Sequence, residues 1–420
     1  MCLHSSCRAH AVLLDCMNKG VLKGCTLEMP LVRSLGRDNG LIAVSLFLWG
    51  LGSGLYQFIW PLYIKSLGAS SVEIGLVMSL GGVVAVLSYI PGGLAADRYS
   101  RKKNMIMAWV LGALAAPIYA LAHDWRQLLI GSVFMNASQF CNPALNSYIA
   151  QAGKEHDLGR IFAIVYAGFS LGMAVSPPLG GLMMEAGQMR FLFGASFLLY
   201  SLSTVAICLI EERPLPAVQT TAKRGYRHVL MDRRVMILVL VFFALYVAGV
   251  FGRSFAPVYL EEHAGLSASL IGSLGTVLSI GSFVLALLMG FLSVRVGIIG
   301  ALLVAEGLLM LGHSVFLQFA GLVPAAMAYF LWGIGNPVNS LTQAFLSREL
   351  APEAIGKGYA LQSMAQSLAM VVAPYGTGVL YSIQPGMPFL TVALSAPLLM
   401  AATVAIGWQR GGRGAAVRLQ

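Results

Sequence analysis

Three ionisable side chains lie within long apolar stretches of the sequence: Arg253, Glu306 and His313. Glu306 and His313 are seven residues apart, which places both on one face of a helix, so the pair could bind a proton. A role in helix contact is the alternative for this pair. Arg253 could hold an anionic substrate or form an ion pair between two parts of the fold. Alternatively, its guanidinium extends to the lipid headgroups or pairs with Glu261 or Glu262.

Amide and aromatic residues form a second group of candidates, because several of them recur within other apolar stretches. Such side chains are poorly placed in lipid and well placed around a polar cavity. Taken singly, buried amides also form hydrogen bonds between helices. As a set they predict a substrate cavity, whose candidate residues are Tyr56, Gln57, Trp60, Asn136, Gln139, Asn142, Arg253, Trp332, Asn336, Asn339, Gln362 and Gln366.

The segment GGLAADRYSRKKNM, residues 92–105, has one acid and four bases within seven residues. Asp97, at the end of a predicted helix, can accept hydrogen bonds from Arg98 or Arg101, or cap a neighbouring helix. At a seam between two parts of the protein, such bonds would hold the seam shut and release it on opening. The alternative is that the bases only fix the side of the membrane on which the turn lies, with Asp97 offsetting them.

No residue pattern predicts an enzyme, a cofactor or a metal site. The sequence has no phosphate-binding loop for ATP, no metal-spaced histidine and cysteine set, and no Ser–His–Asp pattern in a soluble domain. Four cysteines among the first 25 residues have spacings that match no common metal site. The net charge of +10 could indicate a nucleic-acid partner, but the bases lie in the breaks between apolar stretches, so we expect none.

The elements that position these residues are predicted membrane spans. The 420 residues are 58% hydrophobic and 10% charged, whereas soluble proteins keep about a quarter of their residues charged. A bilayer core needs roughly 20 apolar residues per helix. The sequence therefore predicts an all-α integral membrane protein with twelve spans, at residues 40–64, 71–96, 103–122, 126–150, 159–184, 190–210, 234–260, 267–293, 296–318, 321–346, 354–382 and 386–408.

The distribution of lysine and arginine predicts how these spans are oriented. Of the 27 such residues, all but Lys65, Arg126, Arg190 and Arg253 fall on one side of the membrane, and basic loops mark the cytoplasmic side. We therefore expect a multi-pass protein of the plasma (inner) membrane with both termini in the cytoplasm. Its predicted parts are a disordered cytoplasmic tail (1–39), a six-helix bundle (40–210), a cytoplasmic linker (211–233), a second six-helix bundle (234–408) and a cytoplasmic tail (409–420).

The two bundles repeat one another. Five landmarks of the first half recur in the second, in the same order and 194 to 197 residues later. For example, Pro61 corresponds to Pro257, and Asn142 corresponds to Asn336. Because each half has an even number of spans, the two copies have the same orientation. Two parallel halves around a site near the bilayer midplane are a plan of transporters, so we expect a monomer with two pseudo-symmetric halves.

Residues 93–102 resemble the loop 2–3 signature of the major facilitator superfamily, Gly-x-x-x-Asp-Arg-x-Gly-Arg-Arg/Lys. The matching residues are Gly93, Asp97, Arg98, Arg101 and Lys102, and Ser100 replaces the second glycine. The second copy keeps Gly290 and Gly297 but has Val294 in place of the acid. The resemblance implies that spans 1, 4, 7 and 10 line a central cavity. It also implies that the cluster around Asp97 helps to close the cytoplasmic side.

Span 5 resembles a second signature, the Gly-x-x-x-Gly-Pro-x-x-Gly-Gly pattern of drug–proton antiporters in this superfamily. The matching residues are Gly172, Pro177, Gly180 and Gly181, and Ser176 replaces the glycine before the proline. Small residues let span 5 approach a neighbour closely, and Pro177 bends it; ordinary close packing is the alternative role. Span 4 has Gly131 near the position where proton-coupled exporters have an arginine, so proton coupling stays an open question.

The resemblance implies a secondary active carrier that works by alternating access. We expect export of an apolar or amphipathic small molecule, with protons as the candidate coupling ion and membrane lipid as the surrounding partner. The first alternative is an uptake permease for a small polar or anionic solute, with Arg253 as the counter-charge. The second alternative is a membrane sensor that does not transport.

Overall fold

The computed structural model describes residues 35–152, 158–212, 233–318, 321–349 and 355–417. Over these ranges the chain is helical and contains no β-strand, which confirms the predicted all-α architecture. Most of the predicted tail 1–39 and of the predicted linker 211–233 lies outside the described residues.

Helical segments cover all twelve predicted spans. In the first half they are α1 (Gly36–Gln57), α2 (Trp60–Ser66), α3 (Ser71–Arg98), α4 (Arg101–Ala113), α5 (Ala115–Ala120), α6 (Trp125–Ala137), α7 (Asn142–Ala152), α8 (Leu158–Val175), α9 (Pro177–Glu185) and α10 (Met189–Cys208). In the second half they are α11 (Arg233–Val250), α12 (Ala256–Ala264), α13 (Ala268–Gln318), α14 (Leu322–Trp332), α15 (Gly335–Glu349), α16 (Ile355–Ile383) and α17 (Met387–Val417).

The long helix α13 contains two spans, because Gly297 interrupts its helical backbone with φ 77° and ψ 169°. Eight stretches in the described ranges are long and apolar enough to cross a membrane by themselves, and α13 is one of them. Spans 4, 10 and 11 do not belong to these stretches. These three spans contain most of the amides of the predicted cavity. Amide side chains are polar, so the residues that led to the cavity prediction also lower the hydropathy of these spans.

Proline residues break several spans in the middle. Pro61, Pro177 and Pro257 each stand in the first two positions of a new helix, namely α2, α9 and α12. Proline lacks the N–H that continues a helix, whereas its fixed φ suits the start of one. The breaks at Pro61 and Pro257 are repeat counterparts. The third is not repeated, because Pro374, the counterpart of Pro177, lies inside the uninterrupted helix α16.

The two halves make the turn between their second and third spans differently. Ser100 has φ −49° and caps α4, with its Oγ accepting a hydrogen bond of 3.4 Å from Lys103 N. Its counterpart Gly297 has a positive φ, which L side chains rarely adopt. The turn at Ser100 therefore forms without the glycine of the family signature, because a serine hydroxyl satisfies an amide at the start of α4.

Each half contains a cluster of aromatic side chains between its spans. Ring centroids in both clusters lie 4.6–6.5 Å apart in tilted, edge-on or stacked arrangements, the spacing at which aromatic pairs attract one another. The first cluster consists of Tyr56, Trp60, Tyr63, Tyr119 and Phe193, and the second of Tyr259, Phe316, Trp332 and Phe389. These clusters hold the helices of each half together.

Candidate functional site

An ion pair joins the two halves where span 1 ends. Lys65 Nζ lies 2.7 Å from Glu261 Oε2 and 2.8 Å from Glu262 Oε1. The Tyr381 hydroxyl donates a hydrogen bond of 2.7 Å to Glu262 Oε2. Lys65 belongs to the first half and the other three residues belong to the second. We call these four residues the Lys65 clamp, and this end of the bundle the Lys65 face.

Lys65 lies just beyond the predicted span 40–64 and stays charged in the clamp. Partial burial lowers the pKa of its amine, but hydrogen bonds with Glu261 and Glu262 outweigh this effect and raise the pKa above its usual value of 10.5. The ammonium therefore bonds to two carboxylates of the opposite half at neutral pH.

Next to the clamp, α9 of the first half packs closely against α13 of the second. A Cβ added to Gly272 would lie 2.6 Å from the carbonyl oxygen of Pro177. One turn further along α13, Thr276 Oγ1 donates a hydrogen bond of 2.6 Å to the carbonyl oxygen of Ala174. The contact is therefore made largely by backbone atoms, which only small residues allow.

A second seam of the same kind joins α3 and α16. A Cβ added to Gly75 would lie 2.6 Å from the carbonyl oxygen of Pro374, and Tyr375 N donates a hydrogen bond of 3.0 Å to Ser79 Oγ. Gly75 and Ser79 lie in the part of α3 nearer to the Lys65 face, and so do Pro374 and Tyr375 in α16. Both seams therefore lie on the side of the bundle closed by the clamp.

The opposite end of the bundle contains Arg101, and we call it the Arg101 face. The hydrogen bonds between the halves lie in the parts of their spans that are nearer to the Lys65 face. Among the described residues, the hydrogen bonds between the halves join Lys65 to Glu261, Ser269 to Glu185, Thr276 to Ala174 and Tyr375 to Ser79.

The residues of the span-5 signature divide between two contacts. A Cβ added to Gly172 would lie 2.5 Å from Leu51 N, and one added to Gly180 would collide with the carbonyl oxygen of Leu55, so both glycines pack against α1 of their own half. Gly181 faces the other half, against the carbonyl oxygen of Ala268. The signature thus places α9 between α1 and α13.

The loop 2–3 cluster is described in part. Gly93, Asp97 and Arg98 lie at the end of α3, and their side chains are outside the described part of the structure. Arg101 Nη1 donates hydrogen bonds of 2.8 Å to Gln151 Oε1 and 3.3 Å to the carbonyl oxygen of Ser147. These partners are on α7, in the same half. Lys102, in the first turn of α4, is half-buried. The half-to-half latch at this cluster stays a prediction.

The aromatic members of the predicted cavity set in the first half are largely engaged in packing. Tyr56 is buried, and its hydroxyl accepts a hydrogen bond of 3.2 Å from the Tyr200 hydroxyl. The Trp60 ring lies 4.7 Å from the ring of Tyr119. Gln57, between them at the end of α1, is exposed. Of these three candidates, Gln57 has the side chain most open to a ligand.

The amides of span 4 make local hydrogen bonds around a break in the helix. Asn136 Nδ2 donates a hydrogen bond of 2.8 Å to the carbonyl oxygen of Ser132, and Asn142 Nδ2 donates one of 2.8 Å to Gln139 Oε1. The 3₁₀ segment Ser138–Cys141 lies between α6 and α7. These side chains are half-buried. Each of the hydrogen bonds uses only part of the donors and acceptors of an amide, so further hydrogen-bonding groups stay available for a ligand.

Gln362 forms a network that ties spans 7, 10 and 11 together. Its Nε2 has two hydrogens and lies 2.7 Å from Tyr246 OH, 2.7 Å from Thr342 Oγ1 and 3.0 Å from Asn339 Oδ1, so these three acceptors share its hydrogens. The side chain is only 1% exposed. Gln362 and Asn339 therefore have a helix-contact role, and their part in substrate binding stays a prediction.

Two other amides of the second half are open. Asn336, at the start of α15, is exposed and donates a hydrogen bond of 2.9 Å to Ser282 Oγ on α13. Gln366, one turn beyond Gln362 on α16, is also exposed. Together with Gln57, these residues are the exposed members of the predicted cavity set.

Arg253 has contacts that differ from the expected ion pair. Its Nη1 donates a hydrogen bond of 3.4 Å to the carbonyl oxygen of Trp332, whereas Glu261 and Glu262 bind Lys65. Arg253 therefore pairs with neither acid, because both carboxylates bind Lys65 of the opposite half.

The structure does not bring Glu306 and His313 together. Thr403 Oγ1 donates a hydrogen bond of 2.6 Å to Glu306 Oε1, and the carboxylate is 3% exposed. The His313 ring contacts three groups: Nδ1 lies 3.1 Å from Trp332 Nε1 and 2.9 Å from the carbonyl oxygen of Leu309, and Nε2 lies 3.3 Å from the carbonyl oxygen of Phe251. Both side chains make contacts between spans, and proton binding stays a prediction for each.

Sequence reasoning missed the Lys65 clamp. From the sequence, Lys65 was only one of the few bases predicted on the outer side, and Glu261 and Glu262 were only candidate partners of Arg253. A signal was present, however, because Lys65 and Glu261 are separated by 196 residues, the offset that relates Pro61 to Pro257. Opposite charges at repeat-related positions near the ends of spans 1 and 7 could have indicated a bond between the halves.

Comparison with known sequences agrees with this architecture. The family model described as Major Facilitator Superfamily matches residues 42–374. The quinolone resistance protein NorA of Staphylococcus aureus is 26% identical over 167 residues, which cover 39% of this chain and 43% of NorA. The multidrug resistance protein MdtH of Cronobacter sakazakii is 24% identical over 244 residues, covering 56% and 59%. The chain thus spans about two fifths to three fifths of the length of these curated relatives.

Solved structures extend the likeness to the whole fold. The crystal structure of the nucleoside transporter NupG matches with a TM-score of 0.75 at 15% identity, covering 88% of this chain and 98% of NupG. A bacterial homolog of the human lysosomal transporter Spinster, in an inward-facing and unoccupied conformation, matches with a TM-score of 0.64 at 16% identity, covering 90% and 92%. At such identities the likeness concerns the fold alone. Because the family model matches most of its length, the chain belongs to the Major Facilitator Superfamily.

Proposed function

We propose that this protein is a secondary active carrier that moves a small molecule across the membrane by alternating access. The observation that carries the proposal is the one-sided contact between the halves. The Lys65 clamp and two glycine seams join them at the Lys65 face, and the hydrogen bonds between the halves among the described residues all lie on that side. This is the arrangement expected of a carrier that is closed on one side and open on the other.

We further propose that the transported molecule is apolar or amphipathic and is exported. The curated relatives NorA and MdtH, named for quinolone resistance and multidrug resistance, support this direction. Gly180 and Gly181 support it too, because they let α9 pack tightly against both halves in the manner of the span-5 signature. The nucleoside transporter NupG has the same fold. The fold therefore does not determine the substrate class, which experiment must decide.

The proposal includes the placement of the chain. The Lys65 face is the outer one, the Arg101 face and both termini are cytoplasmic, and the chain works as a monomer in the plasma membrane. The basic residues near Arg101 support this orientation. Protons are the proposed coupling ion, and the cluster around Asp97 is the proposed latch of the cytoplasmic face.

Dye transport into inverted membrane vesicles tests the proposal. Energised vesicles that contain the protein should accumulate ethidium against its gradient, and a protonophore should abolish the accumulation. Gly272→Leu should abolish it as well, because the added side chain prevents closure against Pro177. Gly194→Leu is the control, since a Cβ at the exposed Gly194 on α10 meets no atom within 4 Å.

Three results would count against the proposal. Equal dye levels in vesicles with and without the protein would contradict export of such molecules. Accumulation that survives the protonophore would contradict proton coupling. Equal activity of the Gly272 and Gly194 variants would contradict the assignment of the α9–α13 seam to the transport cycle.

A further inference from the structure

Arg253 lies where two interrupted spans meet. Gly252, with φ 75°, ends the helical course of span 7, and Arg253 begins the short 3₁₀ segment Arg253–Phe255. In span 10, α14 ends at Trp332 and α15 begins at Gly335. A Cβ added to Gly335 would lie 3.7 Å from Arg253 Nη1. The guanidinium therefore faces the break in span 10.

Within the described residues, the charge of Arg253 has no carboxylate within 4 Å. Its one hydrogen bond, to the carbonyl oxygen of Trp332, is long at 3.4 Å and uses one of five N–H donors. An arginine at membrane depth is costly unless a partner compensates it, and such residues mark binding sites and pathways. The guanidinium thus keeps donors for a further acceptor.

The neighbours of Arg253 supply no negative charge. A histidine is neutral or cationic, so His313, whose ring contacts the Trp332 indole and the carbonyl oxygens of Leu309 and Phe251, supplies none. Ser254, next to Arg253, has a buried hydroxyl without a hydrogen-bond partner in the described ranges. The cation and the unpartnered hydroxyl therefore belong to adjacent residues, and the guanidinium contacts the backbone of the aromatic residue Trp332. A cation beside aromatic residues suits a molecule with an acidic head and an apolar body.

We propose that Arg253 binds the carboxylate of an amphipathic substrate. This inference rests on the proposed function. It narrows the carried molecules to amphipathic carboxylates, because it assigns a carboxylate as the charged head of the substrate. A guanidinium forms two parallel hydrogen bonds with a carboxylate, which a lysine cannot do. The exposed Gln57 is the repeat counterpart of Arg253 and is neutral, so the two halves present unequal charge to the substrate.

Two matched fluorescent probes test the proposal on the purified full chain in lipid-free detergent. Pyrenebutyrate and pyrenebutanol share the ring and the alkyl chain and differ in the carboxylate. The native protein should bind pyrenebutyrate at least tenfold more tightly, the gain expected of a hydrogen bond to a charged group. Arg253→Gln should remove this preference and leave the Kd of pyrenebutanol within about twofold. Arg253→Lys should restore part of it.

Arg126→Gln is the matched control, because Arg126 is an exposed arginine of the first half that pairs with Asp124. It should leave the Kd of both probes unchanged. A thermal melt confirms that each variant is folded. Equal affinity of the native protein for both probes would overturn the proposal. So would binding of neither probe, or an undiminished preference in folded Arg253→Gln protein.

An anionic lipid headgroup offers the same chemistry as a carboxylate substrate. The titrations are therefore repeated in phosphatidylcholine nanodiscs with and without phosphatidylglycerol. A preference for pyrenebutyrate that persists in both supports a carried substrate. A preference that disappears with phosphatidylglycerol overturns the substrate role and assigns the site to lipid.

The vesicle assay with ethidium keeps the two proposals separate, because this cationic dye has no carboxylate. If the dye is not exported but native protein prefers pyrenebutyrate through Arg253, the proposed export of such dyes fails and the Arg253 site stands. If the dye is exported and the preference is absent, the Arg253 site fails and the carrier proposal stands.

Discussion

Lys65 and Glu261 are counterparts in the internal repeat, and they also touch each other. They are 196 residues apart, and Lys65 Nζ lies 2.7 Å from Glu261 Oε2. Two residues related by a twofold axis can be in contact only close to that axis. The clamp therefore lies near the pseudo-twofold axis at the Lys65 face, where relative rotation of the halves must break it.

Loss of the clamp should expose the seam beside it. With native cysteines replaced by serine, a cysteine introduced at the buried Ser79 should react with maleimide about fivefold faster in Lys65→Met protein. This factor corresponds to about 1 kcal/mol, the upper range for a partly exposed ion pair. The charge swap Lys65→Glu with Glu261→Lys should return the rate toward that of the native clamp. Equal rates in all three proteins would exclude a closing role for the ion pair.

The clamp should persist well into alkaline solution. Because the pKa of Lys65 is raised in the folded protein, its contribution to stability is complete below the usual lysine pKa and is lost as the pH rises through the raised value. The difference in melting temperature between native and Lys65→Met protein should stay constant from neutral pH to about pH 10 and shrink above it. Lys103→Met, at an exposed position, is the control, and a difference that vanishes near neutrality would contradict the assignment.

The α9–α13 seam should not tolerate a single methyl group. Gly272→Ala places a Cβ 2.6 Å from the carbonyl oxygen of Pro177, and such overpacking costs about 1–3 kcal/mol. The variant should melt at a lower temperature than native protein, and the introduced cysteine at Ser79 should react faster. Gly290→Ala, on the same helix but without a neighbour within 4 Å, should show neither effect. Identical behaviour of the two variants would mean that the halves do not meet at this seam.

The turns between the second and third spans of the two halves should respond differently to substitution. Gly297→Ala should lower stability by about 1–3 kcal/mol, because its backbone conformation is nearly restricted to glycine. Ser100→Ala should cost about 1 kcal/mol through loss of the helix cap, whereas Ser100→Gly should cost only a few tenths. Thermal unfolding of the three variants checks this order, and a large loss in Ser100→Gly would contradict the capping role.

Much of the architecture follows from the sequence, because apolar length, proline and basic loops act locally. The spans and the repeat are of this kind, and so is the bend at Pro177, where a new helix begins. The breaks before Pro61 and Pro257 were not predicted, and the predicted spans run through them. It is harder to predict from the sequence which side chains bind one another. An amide such as Gln362 has the same identity whether it lines a cavity or ties three spans together, and only packing assigns it to Tyr246 and Thr342. Glu261 likewise has two basic candidates, and the position of the opposite half decides between them.

The glycine seams have a consequence for the speed of the proposed transport cycle. Side chains that interlock must change rotamer before two surfaces separate, whereas backbone atoms in smooth contact can part without such rearrangement. At Gly75 and Gly272 the opposing surfaces are carbonyl groups of the other half. The kinetic barrier to separation at these points is therefore small, and the strongest bonds that must rupture are the two that Lys65 makes.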